Sequence, residues 1–244
     1  MVVRAVFFDA GETLVHPYPS FPDLFSQVLR RHGRVVEPEE VLEHIVLVFD
    51  HFADAAQGTE LWTTSPERSR VFWHSVYRAL GERLDVERPD ELADALYTEF
   101  TTLANWRLFD DVLPVLRRLK EHGLVLGLVS NFEEWLEQLL ERLAVTGMFD
   151  AVVISGLEGL EKPDPAIFRL ALARAGVTAS ESAYVGDNPA FDTEPAEALG
   201  MTGVLIDRRR RFPDHDGLRV ETLADLPAVL DLPDAEAART GGGA

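Results

Sequence analysis

Short apolar segments separated by helical patterns constrain the fold of this chain more than any other feature. Five such segments span residues 2–8, 124–129, 151–154, 182–185 and 203–206. They are continuously apolar rather than alternating, which is typical of strands buried on both faces of a parallel sheet. Helical patterns lie between the last four segments, at 111–122, 132–143 and 165–175. Strands that alternate with helices over short links predict an α/β fold with a doubly wound parallel sheet.

The interval 16–106 interrupts this alternation. It predicts four helices, near 22–32, 38–56, 66–80 and 89–104. Pro66 and Pro89 mark helix starts, whereas Gly33 and Gly81 mark helix ends. We therefore expect an all-helical domain inserted between the first and second strands.

The expected domain boundaries follow from these two patterns. Residues 1–15 and 107–232 form the α/β core, and 16–106 form the inserted cap. The chain ends in a segment rich in glycine and alanine, so residues 233–244 are expected to be a disordered tail.

Composition limits the class of protein. The 244-residue chain has a formal net charge of −19, which disfavours nucleic acids and anionic membranes as partners. It has no cysteine, which excludes disulfides and thiolate catalysis. The apolar N-terminus reads as a first strand rather than a secretory signal, and no apolar stretch is long enough to span a bilayer, so a cytoplasmic location is expected.

Polar residues that are capable of catalysis or ligand binding follow four of the five predicted strands. Asp9 ends the first strand and Ser130 ends the second. Lys162 follows the third strand, and it is one of only two lysines in the chain. The fourth strand leads into Asp187, with Asp192 five residues on. Because ligands of open parallel sheets bind at the carboxyl ends of the strands, we expect these side chains to converge.

In this order the motifs resemble the haloacid dehalogenase superfamily. The matching segments are "DAGETL" (9–14), "VSN" (129–131), "EKPDP" (161–165) and "VGDNPAFD" (185–192). The resemblance covers nearly the whole chain, and the helical insertion lies where that superfamily carries its C1-type cap. It implies a Rossmann-like core and a hydrolase that acts on a small phosphorylated metabolite.

The resemblance also implies roles for the residues of these motifs. Asp9 would be the nucleophile that forms an aspartyl-phosphate. Thr13 and Ser130 would donate hydrogen bonds to the phosphoryl oxygens, helped by backbone N–H groups near Asn131. Lys162 would neutralise charge between nucleophile and phosphate.

A Mg²⁺ ion is the cofactor that the resemblance implies. Asp9, the backbone carbonyl of Gly11 and Asp187 would bind it, and oxygen ligands suit this ion. Asp192 would be either a further ligand or a residue that orients the loop and the lysine.

Each motif also has a purely structural interpretation. Ser130 and Asn131 would cap the predicted helix 132–143, and Asp192 would cap a helix near 193–199. Lys162 would be an ordinary surface lysine. These interpretations compete with the catalytic ones but do not all exclude them.

Gly11 departs from the superfamily's phosphatase pattern. Phosphatases carry a second Asp there, which protonates the leaving alkoxide and contributes about 10²–10⁴-fold. Haloacid dehalogenases lack this acid because halide leaves without a proton, but they also replace the acidic loop that this chain keeps at Asp187. Phosphonatases use a cap lysine, and the interval 16–106 contains none, so that alternative is excluded.

A phosphatase without this Asp has two ways to proceed. Glu12 or His16 would replace the acid, or the substrate would have a leaving group that needs little protonation, such as an acyl or aryl phosphate. The competing non-enzyme class is a binding or regulatory protein that has lost its acid.

Two conspicuous features are interpreted as structural. The arginine run "DRRRRF" (207–212) is expected to be a solvated loop. Trp62, Trp73, Trp106 and Tyr77 are expected to pack the cap and its contact with the core, with a minority lining a substrate pocket.

Overall fold

A six-stranded parallel sheet forms the centre of the molecule. The computed structural model describes residues 3–44, 48 and 61–232. Two sheets are formed by the strands β1 (Ala5–Phe8), β2 (Val15–Pro17), β3 (Trp106–Leu108), β4 (Val125–Ser130), β5 (Ala151–Ile154), β6 (Ser182–Gly186), β7 (Thr202–Ile206) and β8 (Leu218–Val220). The sheet order is β5-β4-β1-β6-β7-β8, and every neighbouring pair is parallel. The expected α/β fold with a parallel sheet is confirmed.

Three short strands were not expected from the sequence. β8 adds a sixth strand at one edge of the sheet, and its three residues are too few to show a period. β2 and β3 form a separate antiparallel pair that joins Val15 to Leu108 and Pro17 to Trp106. This pair brings together the two places where the chain leaves and re-enters the sheet.

Helices pack on both faces of the sheet and form the insertion. They are α1 (Phe21–Arg31), α2 (Pro38–Glu43), α3 (Pro66–Arg83), α4 (Pro89–Phe100), α5 (Val112–Glu121), α6 (Leu136–Arg142), α7 (Ser155–Glu158), α8 (Pro165–Ala175), α9 (Glu194–Ala198) and α10 (Leu226–Val229). Helices α1 to α4 lie between β2 and β3 in the chain, as expected for an inserted helical unit. The part of the predicted helix 38–56 beyond Glu43 and the predicted tail fall mostly or wholly outside the described residues.

Two helix boundaries differ from the prediction. Gly81 lies inside α3 rather than at its end. A Cβ there would approach the Leu92 side chain to 2.9 Å, so glycine permits close packing of α3 against α4. Helix α6 begins at Leu136 instead of residue 132, because the segment from Asn131 to Glu134 makes contacts at the site described below.

The alternating faces of β1 explain why its residues are all apolar. Val6 and Phe8 belong to the cluster on one side of the sheet, and Phe7 belongs to the cluster on the other. Phe7 lies across the backbone of β4 at Gly127, where a Cβ would come within 2.2 Å of the ring. The helical insertion has its own apolar cluster, centred on buried residues of α1, α3 and α4.

Within the described part of the chain, no helix is both long enough and apolar enough to cross a membrane.

Candidate active site

The parallel strands β1, β4, β5 and β6 are followed by polar residues at one edge of the sheet, where their carboxyl ends lie, and we call this the carboxyl edge. β1 ends at Phe8, and the N–H of the next residue, Asp9, donates to the carbonyl of Val185 in β6 at 2.9 Å. This bond holds the Asp9 backbone between two strands. Ser130 is the last residue of the neighbouring β4, and its hydroxyl donates to Asp9 Oδ1 at 2.9 Å.

Lys162 lies at the centre of the carboxyl edge and is only 3% exposed. Its Nζ donates to Asp9 Oδ1 at 2.7 Å, to Asp192 Oδ1 at 2.5 Å and to the Tyr184 hydroxyl at 3.1 Å. Burial alone would lower the pKa of Lys162, but the carboxylates of Asp192 and Asp9 outweigh it and raise that pKa well above the usual value. Lys162 is therefore a permanent buried cation, and the interpretation as a surface lysine is wrong.

Asn131 positions the Lys162 backbone instead of capping a helix. Its Oδ1 accepts from the Lys162 N–H at 2.7 Å, and its Nδ2 donates to the Lys162 carbonyl at 2.8 Å. The Asn131 side chain thus satisfies both the N–H and the carbonyl of Lys162, as a neighbouring strand in a sheet would. Because α6 begins at Leu136, the interpretation of Ser130 and Asn131 as its N-cap is wrong.

Asp192 is oriented by the loop that follows β6. Its Oδ1 accepts from Lys162 and its Oδ2 accepts from the Asn188 N–H at 2.9 Å. The carboxyl lies directly against Gly186, where a Cβ would come within 2.2 Å of Asp192 Cγ. Glycine at 186 is therefore required for this arrangement, and Asp192 does not cap the helix that begins at Glu194.

Three carboxylates crowd the carboxyl edge. One oxygen each of Asp9, Asp187 and Asp192 lies within 4.8 Å of the others. Burial, opposed by Arg211 and reinforced by the charges of Asp192 and Asp9, raises the pKa of Asp187 to about 7. A buried set of oxygen ligands with excess negative charge suits a hard divalent cation such as Mg²⁺.

The arginine run is only partly solvated. Buried Asp207 accepts from the backbone N–H groups of Arg211 and Phe212 at 2.7 and 3.0 Å, which shapes the loop after β7. Arg209 pairs with Glu12 at 2.9 Å, and Arg211 pairs with Asp187 at 2.6 Å. Arg209 and Arg210 are exposed, as expected for a solvated loop, but Arg208 and Arg211 are partly buried, so the expectation holds for only part of the run. Arg209 and Arg211 bring positive charge to the carboxyl edge.

Arg208 serves the fold in the same loop. Its guanidinium donates to both carboxylate oxygens of Asp111 at 2.8 and 2.9 Å and to the Thr13 carbonyl at 2.9 Å. The guanidinium also lies 3.8 Å from the centre of the Phe109 ring. Arg208 thus fixes the loop that follows Asp9 to the start of α5.

Gly11 and the two candidate substitute acids occupy different environments. A Cβ at Gly11 would meet only the Phe132 ring, at 3.8 Å, so the position is open. Glu12 lines the cavity described below but is paired with Arg209. The His16 ring stacks on Phe109 at 4.4 Å, with Nδ1 2.8 Å from the Pro17 carbonyl, and it is not among the cavity-lining residues.

Thr13 is not brought to the site in the way the resemblance implies. Its side chain is fully buried, it is not among the cavity-lining residues, and within the described part of the chain its hydroxyl has no hydrogen-bond partner. Its predicted bond to a phosphoryl oxygen stays a prediction.

A cavity of about 240 Å³ opens above the carboxyl edge. Its floor includes Asp9, Lys162 and Asp187. Its remaining wall is strongly aromatic and includes residues from the insertion and from the core: Trp62, Trp73, Tyr77, Tyr97, Phe100, Trp106, Phe132 and Trp135. The tryptophans and Tyr77, which were expected mainly to pack the cap, therefore also line this cavity.

Two buried glutamates connect the insertion to the core and were missed in the sequence. Glu161 accepts from the N–H groups of Trp62 and Thr63 and from the Thr63 hydroxyl, at 2.8 to 3.1 Å. Glu133 accepts from the Tyr97 hydroxyl at 2.9 and 3.0 Å. Apart from its place beside Lys162, Glu161 had no signal in the sequence, and Glu133 was assigned to a helix.

Comparisons with known proteins agree with the fold. The sequence model of the haloacid dehalogenase-like hydrolases matches residues 3–200. A relative from Danio rerio, haloacid dehalogenase-like hydrolase domain-containing protein 3, is 31% identical over 241 residues and the match covers 93% of this chain and 96% of the relative. A phosphoserine phosphatase from Thermus thermophilus is 36% identical over 168 residues, with 68% of this chain and 64% of that protein covered.

Among solved structures, that of an L-2-haloacid dehalogenase is similar, with a TM-score of 0.73 and 26% identity. The match covers 95% of this chain and 100% of that one. The parallel sheet, the converging motifs and a family match over most of the chain lead to one conclusion: this chain belongs to the haloacid dehalogenase-like hydrolases.

Proposed function

We propose that this chain is a Mg²⁺-dependent phosphomonoester hydrolase that acts on a small phosphorylated molecule. The observation that carries the proposal is the cluster of Asp9, Asp187 and Asp192 around Lys162 at the floor of the cavity. Arg209 and Arg211 line the same cavity, so an anion that enters meets cations although the whole chain is strongly acidic. Similarity to a phosphoserine phosphatase supports the reaction class.

Asp9 acts as the nucleophile in this proposal. Ser130 and Lys162 both donate to its Oδ1, which fixes the orientation of the carboxylate. An Asp9 oxygen forms a bond to phosphorus while the bond from phosphorus to the ester oxygen breaks. Water then attacks the aspartyl-phosphate, which releases inorganic phosphate and restores the carboxylate.

The carboxylates at the carboxyl edge are the residues that would hold the metal ion. Asp9 and Asp187 would bind it together with the Gly11 carbonyl, and Asp192 would lie close enough to contribute. When bound, Mg²⁺ supplies positive charge that polarises the phosphoryl group. Lys162 and Ser130 supply charge and hydrogen bonds that are already in place.

Gly11 makes the departure of the leaving group the difficult step. No carboxyl side chain at 11 can protonate the leaving oxygen, so good leaving groups need least help. We therefore expect aryl and acyl phosphates to react much faster than alkyl phosphates.

Turnover of an aryl phosphate with and without Mg²⁺ tests the proposal. We expect metal-dependent release of phosphate and its loss in Asp9→Asn, with Asp23→Asn, on α1, as a matched control that keeps activity. Absence of metal-dependent turnover over a broad panel of phosphate esters would contradict the proposal and favour a binding or regulatory protein.

A second candidate, 2-haloacid dehalogenation, is favoured by Gly11 and by the similarity to an L-2-haloacid dehalogenase. In that reaction an Asp9 oxygen displaces halide from carbon and water hydrolyses the resulting ester, so no leaving-group proton is needed. Chloride release from a 2-chloroacid without added metal would support it in place of the phosphatase.

A further inference from the structure

Glu133 is a buried carboxylate in the cavity wall for which the proposed hydrolysis has no use. It is 7% exposed and lies three residues beyond Ser130 in the segment that precedes α6. Within the described part of the chain it forms no ion pair, and its hydrogen bonds come from neutral donors, among them Ser69 and the Tyr97 hydroxyl, the latter at 2.9 and 3.0 Å. A buried carboxylate without a counter-charge is costly, so its presence in a binding cavity calls for an explanation.

The electrostatics of this wall show the same excess of negative charge. Burial raises the pKa of Glu133, and hydrogen bonds from Ser69 and Tyr97 oppose the shift. Burial and then the nearby charge of Glu133 raise the pKa of Tyr97, and Glu133 also contributes to a raised pKa at Tyr77. Glu133 therefore faces both tyrosines across the space between the insertion and the core.

Aromatic rings line the same cavity as this carboxylate. Tyr77 stacks on Trp73 at 5.6 Å and on Phe100 at 5.4 Å, and all three line the cavity. Faces of aromatic rings attract organic cations, and a carboxylate among them adds a charge-assisted hydrogen bond. A carboxylate has about four acceptor sites, so the hydroxyls of Tyr97 and Ser69 leave room for a further donor.

The cavity holds Lys162, Arg209 and Arg211 beside the carboxylates of the carboxyl edge, and Glu133 and the aromatic rings among the residues of its wall. A substrate whose phosphoryl group binds at the carboxyl edge would leave Glu133 available to a positively charged group of the same substrate. We propose that Glu133 determines substrate specificity by binding an ammonium group, so that the substrate is a phosphomonoester that also carries an organic cation. This inference rests on the proposed hydrolase function.

Two matched aryl esters test this specificity: 4-(2-aminoethyl)phenyl phosphate and 4-propylphenyl phosphate. An ammonium group replaces a methyl group of the same size, and the phenyl ring and two methylenes separate it from the leaving oxygen. We expect kcat/KM to favour the ammonium ester by at least about tenfold, mainly through KM, because the ammonium group binds away from the reacting atoms. In Glu133→Gln this ratio should fall to near 1, whereas Glu134→Gln, an identical change at the exposed neighbour, should retain it.

Binding of the corresponding non-hydrolysable phosphonates, measured by calorimetry on the unmodified protein, separates the two proposals. Tighter binding of the ammonium phosphonate without turnover of either ester would support Glu133 recognition and overturn the hydrolase proposal. Turnover of both esters at equal kcat/KM would overturn the role of Glu133 and leave the hydrolase intact. Failure of both phosphonates to bind at millimolar concentration would overturn the Glu133 proposal as well.

Discussion

Lys162 is the residue on which the carboxyl edge depends most. It serves two buried carboxylates at once, so its removal leaves Asp9 and Asp192 close together without a cation. We expect Lys162→Met to lower the free energy of unfolding by about 3–5 kcal/mol, the range for breaking a buried ion pair. Urea denaturation measures this change.

The only other lysine in the sequence provides the control for this substitution. Lys120 pairs with Asp150 at a partly exposed site, where ion pairs contribute at most about 1 kcal/mol. Equal losses of stability in Lys162→Met and Lys120→Met would show that the buried cluster does not depend on its central cation.

Gly11 gives a second prediction at the scale of one residue. Because a side chain there would meet only the Phe132 ring, we expect Gly11→Asp to fold and to supply a leaving-group proton. Alkyl phosphates should gain most, up to about 10²–10⁴-fold, and aryl phosphates least. The measurement is kcat/KM over a series of phosphate esters whose leaving groups differ in pKa. We expect kcat/KM to depend less steeply on leaving-group pKa in Gly11→Asp than in the unmodified protein.

The isosteric variant Gly11→Asn controls for shape, since it fills the same space without a carboxyl group. Equal rates for alkyl and aryl esters in the unmodified protein would contradict the prediction, because another acid would then be in place. Glu12 is the candidate that lines the cavity.

At the scale of elements, Asp111 at the start of α5 binds the loop after β7 and the segment after β8 through hydrogen bonds. Asp111 accepts from Arg208, from the Thr222 hydroxyl at 2.6 Å and from the Leu223 N–H at 2.8 Å. Burial alone would raise the pKa of Asp111, but these hydrogen bonds outweigh it and hold the pKa below its usual value. The contribution of Asp111 to stability is therefore present above its unfolded pKa and is lost as pH falls through the folded one.

This sign predicts how Asp111→Asn behaves. We expect the variant to be less stable than the unmodified protein at neutral pH, with the difference shrinking below about pH 4. Thermal unfolding over a pH series measures it, and Asp110→Asn at the exposed neighbour is the matched control. A difference that is constant with pH would mean that the charge of Asp111 is not what stabilises the loop.

The sequence predicted elements where a period or a cap signal is strong. The five continuous apolar segments became strands, and α8 spans the predicted residues from Pro165 to Ala175. The prediction was wrong where tertiary contacts override local signals. Residues 132–135 are apolar and acidic as in a helix. The Ser155 hydroxyl, however, accepts a hydrogen bond from the Phe132 N–H at 2.9 Å, which holds this segment in a non-helical conformation. β8 was missed because it is only three residues long.

At the scale of the whole molecule, convergence of the strand ends was predictable but partners across the chain were not. Strand-end residues meet because all six strands of the central sheet are parallel, which placed Asp9, Ser130 and Asp187 at one edge. The pairing of Arg211 with Asp187 and of Glu133 with Tyr97 joins segments far apart in sequence, and no local period encodes it. The arginine run was visible, but its carboxylate partners were not.

The central claim is that Asp9 and Asp187 share one divalent cation opposite a phosphoryl group. A crystal structure with Mg²⁺ and a fluoride mimic of the phosphoryl group tests it most directly. We predict one ion about 2.0–2.1 Å from a carboxylate oxygen of each residue, with the mimic facing Asp9 and Arg211 displaced from Asp187. An ion bound elsewhere, or Arg211 still paired with Asp187 while the mimic occupies the cavity, would contradict it.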